Sequence, residues 1–271
     1  MINKRIIFYY QTFTSLKPIL IQNSIVTHIH LSSIHFGLDN LNKPYIHLND
    51  YCPDDIKFKN VWKELEQAKN LGITIILMIG GAGGAFNALF SNFNTYYNLL
   101  KDTIKKYNCI NGIDLDIEEN TSVDDVKMLI NKIKEDFGKD FIITMAPVAS
   151  SLQGTDPGMG GFIYKDFFNS KEGKLIDYFN GQFYYDINEE AYEKVINNGF
   201  PPNKIVYGME SGNDLNKINL IVENLSKKYS NFGGVFIWEY FNAFGKEDPY
   251  KWALLMHKSM NPKWNLPCVI S

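Results

Sequence analysis

The chain has 271 residues, of which 45% are hydrophobic and 14% aromatic, enough for one large core, and barrels of about 250 residues commonly stay undivided. Its formal charge is −3 and Arg5 is its sole arginine, so no net basic field draws nucleic acid or an anionic membrane, and a neutral ligand is expected. The three cysteines, Cys52, Cys109 and Cys268, are odd in number and widely spaced, which fits neither a disulfide framework nor a zinc knuckle.

The start, MINKRIIFYYQTF, holds one short apolar run with no small-residue cleavage site. It reads as a first strand rather than a secretion signal, which leaves a cytoplasmic location by default. No apolar stretch reaches about 18 residues, so no membrane span is expected. From there short β-branched or aromatic runs alternate with helical periodicity. The strands are predicted at 5–11, 26–36, 73–79, 112–118, 140–147, 177–185, 204–210 and 233–239, and the clearest helices at 57–71, 94–108, 121–137, 188–198, 214–229 and 249–260. Thr121 or Ser122 offers a helix cap with acids in the first turn, and Gly72 and Gly138 end helices. Eight strand–helix units imply parallel pairing and a (β/α)8 TIM barrel, with a doubly wound open sheet the second choice. No repeat or linker divides residues 1–271, and the link of about 22 residues between the last two strands admits one helix, so a single domain without a large insertion is expected.

Residues 111–120, NGIDLDIEEN, place Asp114, Asp116 and Glu118 on one strand face and Ile113, Leu115 and Ile117 on the other. Such alternation is ordinary in an antiparallel sheet with one wet face. In a parallel barrel neither face is wet: the aliphatics suit the covering helices, so the acids must point inward. Three confined carboxylates cannot all ionise cheaply, and one or more should keep a proton at neutral pH, as a general acid requires. A calcium loop fits poorly, with Glu119 where the turn needs glycine and Asp125 where a bidentate Glu belongs. GGAGG at 80–84 lacks the lysine and spacing of a nucleotide loop, and the five histidines form no HExxH motif.

The segment INGIDLDIE resembles the active-site signature of family 18 glycoside hydrolases, the chitinases, D-G-x-D-x-D-x-E, with Asn111 in the first position. LMIGGAGGAF at 77–86 is similar to the family's S-x-G-G segment with Met78 in place of Ser, TMAP at 144–147 to its fifth strand end, GQFYYD at 181–186 to its tyrosine motif, and GGVFIWEY at 233–240 to its tryptophan strand. This resemblance implies a retaining hydrolase of β-1,4-linked N-acetylglucosamine polymers, in which the substrate's own acetamide is the nucleophile and an oxazolinium the intermediate. It makes Glu118 the proton donor, Asp116 the group that orients the acetamide, and Asp114 the partner sharing a proton with Asp116. The tyrosine that donates to the acetamide oxygen is Tyr184 or Tyr185; Gln182 sharing the inward face favours Tyr184. Trp238 is expected under the sugar, and Tyr9, Phe36 and Met145 around the same bowl. The resemblance further implies non-proline cis peptides at His35–Phe36 and Trp238–Glu239. No metal or other cofactor is expected, and a monomer acting on carbohydrate is. Alternatives are an endo-β-N-acetylglucosaminidase for N-glycans or peptidoglycan, and a chitinase-like lectin that binds without cutting, against which Glu118 speaks.

Overall fold

The computed structural model describes residues 4–244 and 248–262; Cys268 and the outermost residues of the expected 1–271 domain lie outside them. The strands are β1 (Arg5–Tyr10), β2 (His28–Leu38), β3 (Pro44–Leu48), β4 (Thr74–Gly80), β5 (Ile110–Asp116), β6 (Ile142–Met145), β7 (Tyr178–Gln182), β8 (Ile205–Glu210) and β9 (Gly234–Trp238). Eight of them run parallel in the order β1-β9-β8-β7-β6-β5-β4-β2, and β1 pairs with β2 to close the barrel. The ninth, β3, folds back antiparallel on the far end of β2, from Ile34↔Leu48 to Leu38↔Pro44. Around the barrel lie α1 (Lys59–Asn70), α2 (Ala85–Ser91), α3 (Phe93–Lys106), α4 (Val123–Phe137), α5 (Ala149–Gln153), α6 (Tyr164–Asn169), α7 (Glu189–Asn197), α8 (Leu215–Lys228) and α9 (Pro249–Met260). No described helix is long and apolar enough to cross a membrane.

Two cores result from the alternation of each strand. Ile113, Leu115 and Ile117 face outward into the large core under the helices, where Leu65, Leu100, Leu129 and Ile133 are wholly buried. Each such side chain contributes about 1.5–3 kcal/mol by leaving water. Inside the barrel a smaller cluster of Ile7, Tyr9, Met78, Tyr178, Val206 and Phe236 plugs the floor. Beside it lie His30, Asp114, Thr144 and Asn180, all polar and all fully buried.

Boundaries moved where a neighbouring strand gave out. The sixth expected strand, 177–185, stops at Gln182, because its ladder with β8 ends at Gln182↔Gly208. The second runs past 36 because β3 supplies a partner there. The Trp238–Glu239 peptide is cis, as expected, but the cis bond of β2 is Ser32–Ser33 and not His35–Phe36. The register of β2 against β4 shifts between Leu31 and Ile34, where the serines lie, and the last β4 partner is Ile34, so His35 and Phe36 belong to the hairpin with β3. Ser122 caps α4 by accepting from the Asp125 backbone N–H, and Gly72 and Gly138 take φ of 85° and 88°.

Candidate active site

β5 pairs with β4 as Met78↔Asp114 and Gly80↔Asp116, and with β6 as Asp114↔Thr144. The strand therefore lifts its acids through the barrel in steps of two residues: Asp114 is fully buried, Asp116 is 5% exposed, and Glu118 stands half-buried just past the strand's end. Above them opens a cavity of about 1140 Å³ that includes Asp116 and Glu118 in its wall. That exceeds the usual size of a small-molecule pocket and suits an oligomeric ligand.

The two lower acids have opposite surroundings. Asp114 accepts from Tyr9 Oη at 2.7 Å, from Asn180 Nδ2 at 3.3 Å and from the Thr144 hydroxyl, and His30 Nδ1 lies 3.2 Å from its Oδ2. Burial alone would raise its pKa, but the His30 ring and these donors outweigh burial and hold the carboxyl below the ordinary range. Asp116 has Gln182 Nε2 at 3.2 Å and two carboxylates for neighbours. Burial first, then Glu118 and Asp114, push its carboxyl well above the usual range, so of the two lower acids Asp116 holds its proton the more firmly.

Gln182 also reaches Glu118 Oε1 at 3.3 Å and the Ala146 carbonyl at 2.8 Å, bridging β7 to the ladder. Past Gln182 the alternation continues: Phe183 is buried outward, Tyr184 turns into the cavity and Tyr185 is 96% exposed at its edge. Burial, then Asp116 and Glu210, push the Tyr184 hydroxyl well above its ordinary value, so it remains a neutral hydrogen-bond donor. Trp238 forms part of the cavity floor with its ring 5.6 Å from Tyr9.

Two expected lining residues, Met145 and Tyr9, sit elsewhere. Met145 is wholly buried in the outer core, because Thr144 takes the inward position on β6. Tyr9 lies beneath the cavity, spent on Asp114. Phe36 lines the cavity, and its ring packs 5.5 Å from Tyr96 of α3. Met78, where the resemblance has Ser, receives a hydrogen bond from the Ser32 hydroxyl to its sulfur at 3.0 Å.

Sequence reasoning missed four acids. Glu210, at the end of β8, and Asp50, after β3, line the cavity. Glu119 Oε1 accepts the Phe86 backbone N–H at 2.5 Å, tying the start of α2 to the loop that carries Glu118. Glu239 Oε2 accepts from Gln11 and Thr12 backbone N–H groups at 2.8 and 3.0 Å and fixes the loop after β1. The segment 80–84 is explained by close approach: Gly80 has φ 96°, and a Cβ there would sit 2.2 Å from the Asp116 carbonyl.

A model of the glycosyl hydrolases family 18 matches residues 5–218. The structure superposes with a TM-score of 0.88 on a fungal endo-β-N-acetylglucosaminidase of that family, at 32% identity, covering 96% of this chain and 99% of that one. It superposes with a TM-score of 0.82 on a chitinase from Aspergillus fumigatus, also at 32% identity, covering 95% of this chain and 99% of that one. Chitinase 2 of Rhizopus oligosporus is 24% identical over 243 residues, 77% of this chain; the chain spans only 42% of that relative's length.

Proposed function

This chain belongs to family 18 of the glycosyl hydrolases, and on that premise we propose that it is a retaining hydrolase of β-1,4-linked N-acetylglucosamine chains, assisted by the substrate's own acetamide. The observation that carries the reading is the graded ladder: Asp114 fully buried among its donors at the bottom with its carboxyl pulled down, Asp116 above it with its carboxyl pushed up, and Glu118 at the cavity wall. In this reading Glu118 gives its proton to the glycosidic oxygen as the bond breaks. Asp116 turns its carboxyl to the acetamide N–H, and the Tyr184 hydroxyl donates to the acetamide oxygen, which attacks the anomeric carbon from the face opposite the leaving group. The C–O bond to the leaving sugar breaks, the oxazolinium forms, and Glu118, now a carboxylate, takes a proton from the water that opens the ring. Asp116 lies one strand repeat, roughly 7 Å, below Glu118 on the same wall and so cannot approach that opposite face.

A second reading, cleavage within the chitobiose core of N-glycans, is favoured by the likeness to the fungal endo-β-N-acetylglucosaminidase. Product analysis on a chitin oligomer, a high-mannose glycopeptide and peptidoglycan separates the two. The first reading expects new N-acetylglucosamine reducing ends from the chitin oligomer. Release of oligosaccharide from the glycopeptide alone selects the second, and no cleavage of any of the three by the folded protein would leave only binding.

A further inference from the structure

His30 is fully buried in the barrel interior and is assigned no part in the chemistry above. Its Nδ1 lies 3.2 Å from Asp114 Oδ2, within ion-pair distance. Its Nε2 is 3.2 Å from the Tyr178 hydroxyl, and its ring centroid is 4.8 Å from that of Tyr9. The ring is thus wedged between a tyrosine from β7 and the foot of the ladder. We propose that His30 is a positioning residue of this site: it keeps Asp114 as the anionic member of the ladder, so that the proton shared there rests on Asp116. The proposal rests on the hydrolase reading.

An opposite charge or a donated hydrogen close to one carboxylate of a coupled pair decides which member is protonated. Asp114 has donors from β1, β6 and β7, but these are neutral hydroxyl and amide groups. The other groups facing this interior leave the task to His30. Burial keeps Tyr9, Tyr178 and Tyr184 protonated, and likewise Tyr164 from α6. Burial, then His30 and Arg5, hold His28 well below its usual range and hence neutral. The Arg5 guanidinium lies 4.1 Å over the Tyr178 ring, near Asp177. Above lie the acids of the cavity, Asp116 and Glu118 on the ladder and Glu210 and Asp50 in the wall.

Take away the His30 ring and Asp114 should gain protons at a higher pH, leaving a doubly protonated pair in weak acid. The test is kcat/KM against pH on a chitin oligomer for the native protein, His30→Gln and Tyr178→Phe. His30→Gln should move the acid limb up by about one pH unit, a loss of about tenfold at a pH on that limb, with the alkaline limb unmoved. Tyr178→Phe, which frees His30 Nε2 but keeps the ring under Arg5, should move the same limb the same way by less; it carries the test if His30→Gln does not fold. A drop that is parallel at every pH in the variants makes His30 a packing residue and overturns the proposal. If the native protein cleaves no N-acetylglucosamine chain, the hydrolase reading fails. The proposal is then read from the Asp114 carboxyl by carbon NMR titration: a higher midpoint in the variant supports it and an unchanged one refutes it.

Discussion

Asp114 and Asp116 are identical side chains two residues apart, and what separates them is what each meets: Asp114 the His30 ring and three donors, Asp116 one amide donor and two carboxylates. Linkage turns that into stability. For Asp116, whose folded-state pKa is raised, the folded protein binds the extra proton, so its contribution is present below the unfolded carboxylate pKa of about 4 and is lost as pH climbs toward the folded value. Asp114, with its pKa lowered, contributes in the opposite sense, above that range. Asp116→Asn should therefore raise the thermal midpoint at pH 7 more than at pH 3.5, while turnover falls; calorimetry at the two pH values checks it, and an equal shift at both would place the gain elsewhere. Glu118→Gln should keep the fold and lower kcat by about 10² to 10⁴-fold, the usual cost of losing a general acid. Glu210 is the residue that tests substrate assistance by exclusion. It lines the same cavity, so Glu210→Gln should retain activity within about tenfold; a loss as deep as that of Glu118→Gln would make Glu210 the nucleophile. The ladder was readable in the sequence because strand alternation alone orders its three acids. Glu210 was not, since YGMES carries no such pattern and the residue enters the cavity only because β8 ends beside Trp238 of β9.

At the scale of elements, the loops that follow the strands fix the ladder's surroundings. Gly81 N–H donates to the Asp116 carbonyl at 2.9 Å while Glu119 reaches across to the start of α2. Gly80→Ala should be destabilising by more than about 2 kcal/mol, since positive φ and a backbone clash act together. Ser122→Ala, at the cap of α4 one turn beyond the ladder, should cost about 1 kcal/mol with kcat almost unchanged. Urea unfolding with parallel assays compares the two, and equal costs would count against the close-approach argument. The six longer helices could be seen in advance because their patterns are long, and the eight barrel strands because each is a β-branched or aromatic run spaced from the next by a helical stretch. The short helices α2, α5 and α6 could not, since five to seven residues carry too little helical periodicity, nor could β3, which follows β2 in a hairpin with no helix to set it apart. Alternation past the strand's end favoured Tyr184 over Tyr185, and it is Tyr184 that is largely buried while Tyr185 is exposed; Met145 went astray because Thr144 already held the inward place.

For the whole molecule, a closed parallel barrel leaves one end where the loops after the strands gather, and the cavity stands there with Glu118 in its wall. The chain's family and fold are matched across nearly the full length of two solved relatives, whose printed activities differ. The claim those likenesses leave to experiment is that the substrate's acetamide performs the attack. A partially acetylated chitosan polymer tests it most directly, because a sugar with a free amine just before the cut cannot close the oxazolinium ring. Mass spectrometry of the new reducing ends, with early-time NMR of the anomers, should find N-acetylglucosamine at every new end and the β anomer formed first; frequent glucosamine at those ends, or an initial α product, would contradict substrate assistance.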